Sequence, residues 1–322
     1  MSLVLVALVL VALTSPAVAL RRVPLGEYHP VAAATICLAA LALRALLVVL
    51  GAILIALWLP ATSLFALLTH WCWHAVMPLI TAHLGLSGHR LGDAATLAPT
   101  MALAVSLLSL VWGVARAARS LRRLLGRRPL SGPLGSVVVG GPEVLVAAAG
   151  LVRPRVVVSA GALTALDDEE LAAGVEHERG HIARRHRFAV LVAEVVGAVA
   201  RPFPGARALL AEFLFHLERD ADAYALARRH DPLALASAIC KAATCESAQT
   251  PLLLALGGSR GSIRRVNALA ANPARERRAR SGWSLAGVLA AIVVALSVAL
   301  PSAAVTDLDR LPPVASTHVC PA

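Results

Sequence analysis

Charged residues are scarce in this 322-residue chain, and their scarcity argues against an ordinary soluble protein. Asp, Glu, Lys and Arg together make up 15% of the sequence, against about 25% in average globular proteins. Cysteine is scarce as well, and none of the five cysteines forms a C-x-x-C pair, which excludes a dithiol redox motif. Hydrophobic residues make up 58% of the chain, so we expect a membrane environment.

Four long apolar runs predict membrane-spanning helices, and a fifth stretch is ambiguous. Each of the four has close to the ~20 residues that a helix needs to cross a bilayer. Residues 61–82 contain no Asp, Glu, Lys or Arg, which leaves open a further span or a re-entrant hairpin. We therefore expect a multi-pass α-helical protein of the plasma membrane. The four runs are 1–20, 32–59, 96–115 and 284–302.

Two of these runs have features that need interpretation. The first run ends in small residues at 17–19 that suit a signal-peptidase site, but no Lys or Arg precedes it and Arg21 and Arg22 follow it. This charge order favours an uncleaved anchor with its N-terminus outside. Arg44 interrupts the second run. Because a charge is costly in lipid, we expect Arg44 to face another helix or to reach the membrane surface.

Two clusters of arginine account for much of the net charge of +11 and predict the orientation of the chain. Positive charge beside a span marks the cytoplasmic side, and both clusters flank the region between the third and last runs. We therefore expect that region to face the cytoplasm. We also expect the clusters to lie near anionic lipid headgroups rather than to bind nucleic acid directly. They are Arg116, Arg119, Arg122, Arg123, Arg127 and Arg128, and Arg275, Arg277, Arg278 and Arg280.

The cysteines are predicted to have minor roles. Cys37 and Cys72 lie in apolar stretches and should pack as small hydrophobic side chains. In a reducing cytoplasm, Cys240 and Cys245 should be free thiols. Cys320 lies near the end of the chain. Two predictions remain for it, a free mobile thiol or a disulfide bond to another chain.

Residues 177–181 have the sequence His-Glu-Arg-Gly-His, an H-E-x-x-H motif. On a helix, residues four apart share a face, so His177 and His181 can hold one Zn²⁺ together. Glu178 then lies beside the ion, where it can take a proton from a bound water. Residues 166–170 support the helix, because they contain the Asp-x-x-Glu pattern of a capping box. The motif therefore predicts a zinc peptidase.

A third protein ligand is expected elsewhere, because a catalytic zinc site takes three ligands and a water. Residues 213–224 carry the candidates on a second predicted helix. Glu218 and Asp222 are four apart, so that Glu218 could ligate while Asp222 orients a ligand histidine. His216 and Asp220 are the alternatives for the third ligand.

Taken in order, these motifs resemble the M48/M56 group of membrane gluzincin peptidases. The closer likeness is to the M56 type, the protease half of the antibiotic-sensing BlaR and MecR receptors and their shorter relatives. The resemblance implies that His177, His181 and Glu218 bind one Zn²⁺ per chain and that Glu178 is the general base. It covers roughly residues 95–302 and is carried by 153–159, 166–170, 177–186 and 218–222.

From residue 136 the pattern changes to short β-branched runs between Gly and Pro signals. The runs at 137–139, 144–146 and 156–158 predict a small antiparallel sheet, with the last two joined as a hairpin. A zincin needs such a sheet beside its active helix, because its edge strand can pair with an extended substrate peptide. The alternative is that these strands are only structural.

The predicted domain organisation follows from these patterns. An inserted α+β peptidase domain of the zincin type, mainly helical, lies between the membrane segments. Its residues 188–200 are apolar but too short to span, so they predict a core helix or one that leans into the membrane surface. The parts are membrane helices at 1–115, a basic linker at 116–135, the peptidase domain at 136–280, the last span at 284–302 and an outer tail at 303–322.

The predicted reaction is hydrolysis of a peptide bond, in which Glu178 passes the proton of the water to the leaving amine. A second donor would stabilise the oxyanion. The candidates are His186, which stands where the family often has an Asp, Tyr224, and Arg264 or Arg265. Each of them also has a structural explanation.

We expect a membrane-bound endopeptidase with a regulatory role that acts at the cytoplasmic face on a protein or peptide substrate. The resemblance makes a transcriptional repressor one candidate substrate. Two alternatives stay open. One is a signalling component that relies on a partner for sensing, since no sensor domain fits within 303–322. The other is a scaffold without proteolytic activity, against which the intact Glu178 argues.

Overall fold

The computed structural model of the chain describes residues 24–58, 130–150, 152–201, 205–244 and 259–271, with scattered positions between 101 and 119 and between 287 and 291. Several predictions fall wholly or largely outside these residues. They are the spans at 1–20, 61–82, 96–115 and 284–302, most of the linker at 116–135, the tail at 303–322, and Cys72, Cys245 and Cys320.

The described part of the chain is mostly helical with a small sheet. A short 3-10 turn at Leu25–Glu27 precedes the first helix. The helices are α1 (Pro30–Trp58), α2 (Ala160–Ala165), α3 (Asp168–Ala183), α4 (His186–Ala200), α5 (Ala206–Ala227), α6 (Pro232–Thr244) and α7 (Ser259–Ala271). The strands are β1 (Leu130–Ser131), β2 (Val137–Val139), β3 (Val146–Ala149) and β4 (Arg155–Ser159).

The sheet is mixed, with the strand order β1–β2–β4–β3. The predicted hairpin is confirmed, because β3 and β4 pair antiparallel. The prediction of a wholly antiparallel sheet is wrong, because β2 and β4 run parallel, with Val137 opposite Val157. After β2, the chain forms β3 at a distance from β2 and then turns back. Strand β4 fills the space between them, antiparallel to β3 and parallel to β2. As a result, β3 lies at the edge of the described sheet, next to α3.

The start of α3 is fixed by the predicted capping box, which is confirmed. The Asp167 carboxylate accepts a hydrogen bond from the Glu170 N–H at 2.8 Å, and the Glu170 carboxylate accepts one from the Asp167 N–H at 3.0 Å. Glu170 is buried and also accepts hydrogen bonds from two side chains of α6, Ser237 at 2.5 Å and Lys241 at 2.6 Å. The Glu170 carboxylate therefore caps the N-terminus of α3 and also binds α6 to α3.

Replacing Glu170 with alanine is expected to lower the free energy of unfolding by about 2 kcal/mol, because a hydrogen bond to a charged group contributes roughly 1.5–3 kcal/mol. Glu169 precedes it in the same helical turn and is exposed, so Glu169→Ala is the matched control. Chemical denaturation of the two variants measures the difference. Equal losses of stability would show that the contacts to α6 contribute nothing.

Helix α1 contains the segment Pro30–Val49, the one described helix that is long and apolar enough to cross a membrane. Length and composition also fit a buried core helix, and most of this segment is buried. Its Ala33 and Ile36 pack in one apolar cluster with Phe213 and Leu217 of α5. The predicted span at 32–59 therefore falls on a helix that the protein itself partly covers.

Three predictions for individual residues can be compared with α1 and α6, on which these residues lie. Cys37 is fully buried, as predicted for a packed thiol, and Arg44 is fully buried as well. Cys240 is exposed and forms no disulfide, as predicted.

The predicted apolar helix at 188–200 is present as α4 and is apolar on two faces. One face packs against α1 and α5. The other face leaves four large side chains exposed, which are Phe188, Leu191, Val192 and Val195.

Candidate metal centre

The candidate centre lies where α3 packs against α5. His177 and His181 are one turn apart on α3 and face α5, and Glu218 lies opposite them on α5. Gly180 makes this close packing possible, because a β-carbon at that position would come within 3.1 Å of the Tyr224 side chain on α5. The small residue inside the H-E-x-x-H motif thus sets the spacing between the two helices.

The distances between the three donor groups fit a zinc ion. His177 Nε2 lies 3.1 Å from His181 Nε2 and 3.4 Å from Glu218 Oε2, and His181 Nε2 lies 3.4 Å from Glu218 Oε1. Donor atoms at 2.0–2.1 Å from a tetrahedral zinc are separated from one another by about 3.3 Å. The structure thus brings together the three side chains that the sequence nominates as ligands, and their chemistry and spacing suit zinc.

His177 is oriented by Asp222. Its Nδ1 lies 2.9 Å from Asp222 Oδ1, on the side of the ring opposite the donor cluster. Burial lowers the pKa of His177, but the facing carboxylates of Asp222 and Glu218 outweigh this effect and raise the pKa to about 9. Binding of a cation at Nε2 therefore requires the loss of a proton from His177. Asp222 occupies the place expected for a residue that orients a ligand.

His181 is oriented by a second histidine rather than by a carboxylate. His181 Nδ1 lies 2.9 Å from His186 Nδ1, and His186 Nε2 lies 3.1 Å from Asp220 Oδ2. If His181 bound a metal through Nε2, its proton would lie on Nδ1, so His181 would donate to His186, and His186 would in turn donate to Asp220. His186 is buried, and burial lowers its pKa, so a neutral ring that can accept this hydrogen bond is favoured.

Arg265 of α7 binds both acidic residues of the centre. Its guanidinium donates to Glu218 Oε2 at 2.6 Å and to the two oxygens of Asp222 at 2.6 and 2.9 Å. Burial alone would raise the pKa of both carboxyls, but the charge of Arg265 outweighs it, so that the pKa of each lies below its usual value. Both groups therefore stay ionised in a buried site.

Sequence reasoning named Arg265 only as an alternative oxyanion donor and missed this carboxylate-binding role. Arg265 is 43 residues beyond Asp222, with α6 between them in the chain, so no short spacing links the two. The sequence signal was a short segment at 262–270, which contains Arg264 and Arg265 and predicts a basic helix.

Glu178 contacts the sheet and lines the same cavity as His177 and Glu218. Its Oε2 accepts a hydrogen bond of 2.7 Å from the backbone N–H of Ala148, which belongs to the edge strand β3. This contact fixes the position of the carboxylate relative to the strand that was predicted to bind substrate. It also shows that β3 is close enough to bring a bound chain to Glu178.

The alternative third ligands have other partners. His216 is fully buried, lies 3.2 Å from Arg219, and has its pKa lowered to about 3, first by burial and then by nearby arginines. Asp220 contacts His186, as described above. Neither belongs to the cluster of donor atoms that His177, His181 and Glu218 form.

The remaining candidates for an oxyanion donor make structural contacts. Tyr224 packs against the Gly180 backbone, and the guanidinium of Arg228 lies 3.5 Å from the centre of its ring. Arg264 forms an exposed ion pair with Glu212 at 2.7 Å and stacks on Phe215.

Comparison with known proteins gives one match. Residues 133–217 match the model of peptidase family M48, whose members are zinc metallopeptidases. The match covers about a quarter of the chain, includes the H-E-x-x-H motif and ends one residue before Glu218. Searches of the curated proteins and of the solved structures found no match. The closer likeness to the M56 type is not confirmed by this result.

Replacing Gly180 with valine is expected to separate α3 from α5 and to weaken zinc binding. The side chain would enter the space of Tyr224, and overpacking of this kind costs about 1–3 kcal/mol of stability. Gly261→Val is the matched control, because a β-carbon at Gly261 on α7 has no neighbour within 4 Å among the described residues. Zinc affinity can be measured by competition with a chelating dye. Retention of the wild-type affinity would contradict the proposed spacing role of Gly180.

Proposed function

We propose that this protein is a zinc-dependent endopeptidase. The observation that carries the proposal is the arrangement of His177, His181 and Glu218, whose donor atoms lie within 4.8 Å of one another. Glu178 lines the same cavity as His177 and Glu218. The family match over residues 133–217 supports the same activity independently of this geometry. We assign the binding of one Zn²⁺ to these three side chains.

Zinc bound at this centre would supply an acidified water and a Lewis acid for the scissile carbonyl. Glu178 is the general base that receives the proton of the attacking water and delivers it to the leaving amine. Asp222 holds His177, and His186 with Asp220 holds His181, so that both rings keep Nε2 directed at the centre. Arg265 keeps Glu218 and Asp222 ionised.

The substrate would lie along β3. This strand is at the edge of the described sheet and runs next to α3, and its Ala148 N–H contacts Glu178. An extended peptide that pairs with such an edge places its backbone beside the carboxylate. The contact between Ala148 and Glu178 is what favours substrate binding over a purely structural role for β3.

We further propose that the enzyme is of the M56 type and works at the cytoplasmic face of the plasma membrane on a protein substrate, such as a repressor. The flanking arginine clusters and apolar runs support this placement. Among the described residues, α4 presents an exposed apolar face that fits contact with a bilayer, and α1 contains a segment long and apolar enough to cross one. A regulatory role follows from the resemblance to receptor peptidases.

A direct test uses the purified full chain in detergent with an unstructured protein such as casein. The proposal predicts cleavage that stops when a zinc chelator is added and returns when zinc is restored. Cleavage that is insensitive to the chelator would point to a contaminating protease of another class. A zinc-loaded protein that cleaves no peptide or protein would contradict the proposal.

A further inference from the structure

A cavity of about 160 Å³ opens beside Glu178. It lies between α3, the edge strand β3, α6 and α7, and His177, Glu178 and Glu218 form part of its wall. Its position therefore connects the candidate metal centre with the strand along which we place the substrate. A peptide bond held at Glu178 would have the cavity directly next to it.

The wall of the cavity is part polar and part apolar. Away from the three site residues, its wall consists largely of aliphatic side chains, among them Val144, Val146, Leu166, Leu235 and Ile239. An apolar wall of this kind favours an apolar occupant, because a charged group would lose its hydration without gaining a partner.

The charged groups that border the cavity are already paired. Arg265 is bound to Glu218 and Asp222 through its Nε and both terminal nitrogens. Glu178 accepts a hydrogen bond from Ala148. The guanidinium of Arg265 therefore already binds the carboxylates of the centre, and it does not bind an acidic side chain of a substrate.

The size of the cavity limits its occupant. A cavity of about 150 Å³ lined by Leu, Ile and Phe can hold a benzene molecule. A volume of about 160 Å³ therefore accepts the side chain of Leu, Met or Phe.

We propose that this cavity is a specificity pocket that binds a medium-sized apolar side chain at one of the two positions flanking the scissile bond. The proposal rests on the proposed peptidase function and adds the class of substrate that the site selects. The enzyme accordingly cleaves next to Leu, Met or Phe and discriminates against charged residues there.

Gly174 sets the depth of this pocket. It lies one turn before Glu178 on the same face of α3 and lines the cavity. A β-carbon at Gly174 would come no closer than 3.9 Å to Val146, which is an ordinary contact, so alanine fits without displacing the backbone. The two further methyl carbons of valine would take up more of the cavity that Gly174 lines. Gly174→Ala and Gly174→Val therefore fill the pocket in two steps.

The test is to digest a peptide library with the full-length zinc-loaded protein and to map the cleaved bonds by mass spectrometry. The wild type is expected to favour Leu, Met and Phe over Asp and Lys by at least about 10-fold at one flanking position, the range that one misfitting group produces. Gly174→Val is expected to move the preference towards Ala and Val by a similar factor. Gly174→Ala should give an intermediate result. A preference unchanged in Gly174→Val, or one for charged residues, would overturn the proposal.

Gly261→Ala provides the matched control. It makes the same change within a helix, but no residue in the described part of the chain lies within 4 Å of its β-carbon, and Gly261 does not line the pocket. Its cleavage preference should equal that of the wild type. A shift as large as that of Gly174→Ala would show that the effect comes from helix stability and would overturn the proposal.

A binding assay separates failure of this proposal from failure of the proposed function. Fluorescent peptides that differ only in one central residue, Leu or Asp, are titrated into Glu178→Gln and into Glu178→Gln combined with Gly174→Val. Tighter binding of the Leu peptide that Gly174→Val abolishes supports the pocket even if no cleavage is ever observed. Equal binding of both peptides by Glu178→Gln overturns the pocket even if the wild type is an active peptidase.

Discussion

Glu178→Gln is expected to reduce peptide cleavage by a factor of about 10²–10⁴ or more while zinc stays bound, because a positioned general base contributes an effect of that size. Glutamine has the same shape as glutamate but cannot accept a proton at neutral pH. Its amide oxygen can still accept the hydrogen bond from the Ala148 N–H, so the contact between α3 and β3 is retained. The variant therefore removes the chemistry and keeps the structure.

Initial rates of casein cleavage and zinc content, both measured on the same preparation, check this result. Glu169→Gln, an exposed neighbour on the same helix, is the control and should keep full activity. Wild-type rates in Glu178→Gln would rule out Glu178 as the base and would leave the observed proteolysis without its proposed mechanism. The same variant, used to trap substrates from membranes, would identify the natural substrate.

Glu218→Ala is expected to lower zinc affinity by more than about 100-fold, since loss of a residue that only supports a ligand already costs 10–100-fold. The change leaves two histidines, which are too few for a catalytic zinc site. It also removes one of the two carboxylates that Arg265 binds, so the guanidinium would lie closer to the vacated position with its positive charge less compensated. Both effects act against a bound cation.

Three further variants decide between the candidate third ligands. Glu212→Ala removes a partly exposed carboxylate from the same helix and should leave zinc affinity unchanged. His216→Gln should do the same, because His216 is buried beside Arg219 and does not belong to the donor cluster. Asp220→Asn should weaken zinc by no more than the 10–100-fold expected of a supporting residue. If His216→Gln abolished zinc binding while Glu218→Ala did not, the proposed ligand set would be wrong.

The most reliable predictions from sequence were those in which function or local structure depends on residues a few positions apart. The H-E-x-x-H spacing placed His177 and His181 on one helical face, and the capping box at Asp167 and Glu170 marked where α3 begins. Each of these patterns involves contacts within one or two helical turns, which backbone geometry alone determines. The β3–β4 hairpin is similarly local.

The features that sequence did not reveal depend on contacts between distant segments. To predict that β2 pairs parallel with β4, one must know that β3 lies outside β4 in the sheet. The β-branched runs in the sequence do not specify this strand order. Arg265 reaches Asp222 from a separate helix, and His186 reaches Asp220 across 34 positions. These partners become apparent only when α3, α5 and α7 are packed together.

His186 shows how a contact between distant segments changes the role assigned to a residue. Judged by sequence position alone, His186 was a candidate donor for the oxyanion. In the structure, His186 contacts the Nδ1 side of His181, and Asp220 contacts the other nitrogen of His186. His186 and Asp220 together therefore take the orienting position that a single carboxylate often occupies beside a ligand histidine. We therefore propose a supporting role for His186 in holding the His181 ring.

The most direct test of the central claim is to locate the bound metal. X-ray data collected above and below the zinc absorption edge on crystals of the purified chain would show its position. The account predicts one zinc ion per chain, bonded to His177 Nε2, His181 Nε2 and Glu218. Stoichiometric zinc bound elsewhere, or no zinc at these side chains after incubation with the metal, would contradict it.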